Sequence, residues 1–175
     1  MMWSLALIVV VMVVSVGFTG LCTFNPGAPE SGPVREVDAE AFMSMEARAM
    51  SFPVRLPDNP DGWVTNSARR TQVNSTPAPV VGWVTSDTGF IQATQTDQPL
   101  DESVSTIDQD LRQLERTEQI SGTEVQVHGS DYSDVRDLWA MDLGETRVLF
   151  TGAGTDEEFH TLIEAFIAAE PLPAN

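Results

Sequence analysis

Thr146–Ala168 reads TRVLFTGAGTDEEFHTLIEAFIA, and two periods meet in it. Thr146 to Thr151 is a strand-like run of β-branched and apolar residues. Thr155 and Glu158 then form a capping box. Behind them Phe159, Leu162, Ile163, Phe166 and Ile167 fall on one helical stripe, which Pro171 ends. A strand followed by a one-sided helix calls for a sheet and a helix layer packed together. The intervening Thr151-Gly152-Ala153-Gly154-Thr155 invites a phosphate-loop reading. The third glycine of a dinucleotide fingerprint is missing, however, and Asp156, Glu157 and Glu158 place repelling charge at the helix start. The segment therefore reads as a tight strand-to-helix turn.

Upstream, Leu143-Gly144-Glu145 turns the chain back from a strand over Arg136–Asp142. Another strand spans Thr123–His128, with Val125 and Val127 on one side and Glu124, Gln126 and His128 on the other. Leu100 to Arg116 reads as a helix with Asp101 and Glu102 in its first turn and Val104, Ile107, Leu111 and Leu114 on one face. Val80–Thr85 and Gly89–Thr96 form a hairpin through Ser86-Asp87-Thr88. Thr76-Pro77-Ala78-Pro79 breaks the strand that runs from Trp63 to Val73. Asn59-Pro60-Asp61-Gly62 suits a type I turn, which also accounts for Asp58 and Asp61. Phe52–Pro57 is extended, because residues before proline avoid helical backbone. Asp38 caps a helix, Ala39–Met50, with Phe42, Met45 and Ala49 at helical spacing. The expected fold is α+β: an antiparallel sheet of about six strands with helices on one face.

The N-terminus is of a different kind. Trp3 to Phe24 contains no charged residue and is long enough for a transmembrane helix. Asn25–Val37, rich in Pro, Gly and Ser, is a flexible linker. The expected organisation is an anchor over 1–24, a linker over 25–37 and a domain over 38–175. A secretory signal would carry basic residues first, and an upstream basic segment is expected to be missing from this start. Cys22, the single cysteine, rules out an intramolecular disulfide and a cysteine zinc site. It stands where a lipoprotein carries its lipidated cysteine, but Leu21 fits that signal poorly.

Nine basic residues, all arginine, face 26 acidic ones, for a net charge of −17. Such a surface repels nucleic acid. Without lysine, P-loop and Schiff-base chemistry are excluded. His128 and His160 read as ordinary surface residues, the latter paired with Glu164. Asp131, Asp134 and Asp137 cluster around Tyr132 without an EF-hand pattern and read as a solvated loop. Trp63, Trp83 and Trp139 lie in strands. They either fill the core or, on an exposed sheet face, form a candidate binding surface.

The segments FPVRLPDNPDGW, NSARR, VVGWVTSDTGFIQATQT and RVLFTGAGTDEEFHTLIEAF, behind an apolar N-terminus, resemble the actinobacterial single-pass membrane proteins grouped as domain of unknown function 4245. The resemblance implies an N-terminal anchor with a domain outside the cytoplasm, and it brings no catalytic residues. The expected function is a non-enzymatic binding module of the cell envelope, with no cofactor and no metal. Its expected partners are the lipid bilayer and another envelope protein. The alternatives are an accessory subunit acting through its anchor helix, and an envelope hydrolase using carboxylates such as Asp131 and Asp134.

Overall fold

The structure, a computed structural model, describes residues 3, 8, 11, 12, 34–108 and 110–174. The chain divides into two units, Met1–Pro33 and Val34–Asn175. Of the first, Trp3, Ile8, Val11 and Met12 are helical with exposed side chains. The rest of the expected anchor, Cys22 and most of the linker lie outside the described residues. Among the described residues no helix is long and apolar enough to cross a membrane.

In the second unit the order is α1 (Ala39–Ala49), β1 (Val64–Val73), β2 (Thr76–Val84), β3 (Phe90–Thr96), α2 (Leu100–Thr106), β4 (Gln113–Ile120), β5 (Thr123–Gly129), β6 (Leu138–Asp142), β7 (Arg147–Gly152) and α3 (Asp156–Ala168). The strands form one antiparallel sheet in the order β1-β2-β3-β7-β6-β5-β4. It is thus two meanders joined where β7 returns beside β3, with β1 and β4 at the edges. Register separates the two faces. Val81, Ala93, Phe150, Trp139, Val127 and Arg116 lie in one row, and Val80, Thr94, Leu149, Ala140, Gln126 and Thr117 in the next. Side chains alternate across a sheet, so these rows point to opposite sides.

The first face holds the main core. Phe159, Leu162, Ile163 and Phe166 of α3 are buried against Trp83, Trp139 and Phe150. Phe166 meets Trp83 and Phe150 edge-on at 5.9 and 5.3 Å, and Phe159 stacks on Trp139 at 5.4 Å. The capping box is closed: Thr155 N–H donates to Glu158 Oε2 at 2.7 Å, and Glu158 N–H to Thr155 Oγ1 at 3.3 Å. The turn before it depends on Gly152, where a Cβ would lie 2.0 Å from the Phe90 carbonyl oxygen.

Several expectations are corrected. The sheet has seven strands, and the helices flank both faces, because Val104 of α2 packs on Leu138, Ala140 and Leu149. The helix from Leu100 stops at Thr106, and Gln113–Ile120 is a strand. Ser121 and Gly122, both at positive φ, make the two-residue turn that returns this strand into β5. Local turn chemistry there outweighs the helical spacing of Leu111 and Leu114, whose side chains are exposed. Thr76–Pro79 does not break β1 but opens β2 after the Asn74-Ser75 turn. The prolines are tolerated because β3 pairs with β2 only from Val80, so no ladder is lost on that side. The turn before β1 is shifted by one residue: Trp63 N–H donates to the Pro60 carbonyl, with Gly62 at φ +78°.

α1 begins as expected, with Asp38 Oδ1 accepting from Ala41 N–H at 2.9 Å. Its inward face is rotated, however. Ala39, Met43, Glu46 and Ala47 are buried, while Met45 and Ala49 are exposed and Phe42 is half-buried. Glu46 sets that rotation. Its buried carboxylate accepts both from Arg70 Nε and from Nη2 on β1, each at 2.8 Å. A buried carboxylate stripped of its partner is strongly destabilising. Replacing Arg70 by Met is expected to lower stability clearly more than replacing Arg69 by Met, and a second change, Glu46→Met, to recover part of the loss. Phe166→Ala is expected to cost about 3–5 kcal/mol and Thr155→Ala about 1 kcal/mol. Urea unfolding of the full chain in detergent checks all of these.

Candidate functional site

The segment before β1 is a strap across the end of the core. Phe52 and Val54 are buried. Gln95 of β3 holds both backbone groups of Arg55, donating to its carbonyl at 2.7 Å and accepting from its N–H at 2.8 Å. Leu172 N–H donates to the Val54 carbonyl at 2.8 Å, and the Arg55 guanidinium donates to the Ala169 carbonyl. Asn59 Oδ1 accepts from the Trp83 indole at 2.8 Å and from Thr65 Oγ1 at 2.7 Å. Trp63, Trp83 and Trp139 are all buried, so the structure places the three tryptophans in the core and not on an exposed sheet face.

The polar side chains that converge most densely do so along β4. Arg116 faces the α3 side, its guanidinium carbon 5.0 Å from the Trp139 ring centroid. It donates to Glu118 at 2.7 Å and to Asp156, at the start of α3, at 3.0 Å, with Asp137 at 4.0 Å. His160 Nε2 is 2.7 Å from the other Glu118 oxygen, and its ring meets Trp139 edge-on at 5.3 Å. His160 thus pairs with Glu118 across the fold, not with Glu164 along its own helix. The Arg116 hydrogen bond, then that of His160, holds the Glu118 carboxyl below the usual carboxylate range against the cost of burial. The cluster ties the edge strand to the helix layer.

Beside it, Glu115 is the extra residue of a bulge between Leu114 and Arg116. The bulge opens a groove of about 360 Å³ lined by Leu111, Gln113, Leu114, Glu115, Gly129, Ser130, Asp131 and Tyr132. Leu111 before β4, Leu114 on it and Tyr132 after β5 are 77%, 54% and 63% exposed, an apolar exposure next to carboxylates. Gly129 makes room for the Glu115 carboxylate, since a Cβ there would lie 2.1 Å from its Oε1. Asp131 lines this groove and Asp134 does not, while Asp137 turns to Arg116. Among the described residues no three His, Cys, Asp or Glu side chains are arranged to hold a metal ion.

A family model described as protein of unknown function (DUF4245) matches residues 1–166. The chain belongs to that family. No curated protein and no solved structure matches the chain. Within the matched residues lie the strap with its Asn59 bridge and the Gly152 turn into α3.

His128 is corrected from surface to interior. It is buried on β5, its Nε2 is 3.0 Å from Gln126 Oε1, and burial pushes its pKa down, with Asp101 opposing and Arg112 assisting. As pH falls, the unfolded chain takes up the histidine proton first, so stability is lost through the ordinary histidine range. Glu118 acts in the same direction lower down. Its contribution is present above the ordinary carboxylate range and is lost as pH falls through its depressed folded-state value. The His128 contribution to the melting temperature is therefore expected to be lost as pH falls through about 6.5, and the Glu118 contribution as pH falls below about 4.5. His128→Asn should flatten the upper limb and Glu118→Gln the lower one in a pH series of thermal melts.

Proposed function

We propose that this chain is a membrane-anchored domain of the cell envelope, held outside the cytoplasm, and that it works as a non-enzymatic binding module. The observation that carries the reading is the charge-free Trp3–Phe24 stretch, followed by a Pro/Gly/Ser-rich linker and then by a unit with its own core. A tether of that composition lets a folded unit search the space next to the bilayer. An edge strand with an open groove beside it, set in an acidic surface, supports binding as that unit's task.

Location is tested with Cys22→Ser and a single cysteine at exposed Glu145. A membrane-impermeant thiol reagent is expected to label intact cells, and the protein to stay in the membrane pellet after carbonate washing. Labelling only after lysis would overturn the placement. Binding is tested by crosslinking in intact cells and purifying the chain. A reproducible envelope protein is expected, and its absence under every growth condition would overturn the module reading.

A further inference from the structure

We infer that the outer edge of β4 is the docking site of an extended, cationic segment of a partner protein. This deepens the binding-module reading and rests on it. Ile120 and Thr123 flank the two-residue Ser121-Gly122 turn, so they form a hydrogen-bonded pair. Bonded and non-bonded pairs alternate along an antiparallel ladder, so Glu118 and Arg116 also bond to β5. Thr117 and Gln119 therefore turn their N–H and C=O groups outward, where the sheet ends. An added strand finds its ladder there and its side-chain pocket in the groove at the Glu115 bulge. The opposite edge is not equivalent for a cationic segment: Val37 N–H already donates to the Thr65 carbonyl at its start, and the exposed Arg69, whose guanidinium meets the neutral Gln92, repels like charge.

Charge selects the occupant. Glu115 and Asp131 rim the groove, and among the described residues no arginine pairs with either. Arg112 is held by Asp108 and Asp110, and Arg116 by Glu118 and Asp156. A chain of net −17 repels a second copy and attracts a basic partner. The groove thus fits an apolar side chain on Leu111, Leu114 and Tyr132, flanked by Arg or Lys on the two carboxylates.

The full chain in detergent is titrated with a labelled peptide of roughly eight residues that alternates valine and arginine. Binding is expected to weaken by about tenfold or more when glutamate replaces arginine, or when alternate backbone nitrogens are methylated. Thr117→Pro removes an outward N–H and no bond to β5, so it should weaken binding as much with the melting temperature kept. The pair Glu115→Arg and Asp131→Arg should do so through charge. Amide exchange should slow at Thr117 and Gln119. Equal binding of the methylated peptide would overturn the inference, since charge alone would then suffice. Slowed exchange along β1 would overturn it as well, and so would a dimer that protects β4 without peptide. Should Thr117→Pro fail to fold, the methylated peptide still decides. If the peptide does not bind while crosslinking in cells still isolates an envelope partner, this inference alone fails. If both fail, so does the module reading.

Discussion

The fold depends on one contact surface: the apolar stripe of α3 laid across the middle of the sheet. Phe159, Leu162, Ile163 and Phe166 have nowhere else to be buried, and Trp83, Trp139 and Phe150 present the matching face. Burial at about 25 cal/mol per Å² makes large aromatics the heaviest contributors to such a surface. Their edge-on and stacked geometry adds direction to it. β7 feeds α3 directly and lies beside both β3 and β6. The stripe therefore joins the two meanders as well as covering them.

Around that surface the remaining elements are fastened by specific polar contacts, each with one buried member: Trp83, Gln95 or Glu46. Asn59 fixes the Trp83 indole, Gln95 fixes the strap, and Arg70 fixes α1 through Glu46. Buried polar groups left unpaired cost more than a formed hydrogen bond contributes, so these contacts specify position more than they add stability. Through these contacts the segment from Phe52 to Trp63 is a brace in this domain.

β4 stands apart from this regime. It is held to the helix layer by one arginine among three carboxylates, a histidine and a tryptophan, and its other side meets solvent. Edge strands invite added strands unless something blunts them. Here a bulge limits the open ladder to a short run, and the surrounding acids discourage self-association. The same two features leave room for a selective partner.

Local chemistry was legible wherever a residue's neighbours in sequence are its neighbours in space. The capping box, the α3 stripe, the hairpin at Ser86–Thr88 and the Asp38 cap could all be read from the chain, because each is closed within a few residues. The acidic balance and the charge-free N-terminal stretch were equally plain. What distant residues decide was not. The periodicity from Leu100 to Leu114 suits a helix, yet the helix ends at Thr106, and Ser121-Gly122 and the β5 partner draw Gln113–Ile120 into an edge strand. Nothing in the spacing of α1 reveals that Glu46 points inward, since its reason is Arg70 on another element. Most of the β4 surface is in this class. Arg116, Glu118, Asp156 and His160 are spread over two elements and meet only when α3 crosses the sheet. The sequence by itself determined composition, charge and the short-range elements, because those rest on covalent neighbours. The tertiary structure alone decided which strand ends the sheet and which charges surround it, because those depend on contacts between residues far apart along the chain.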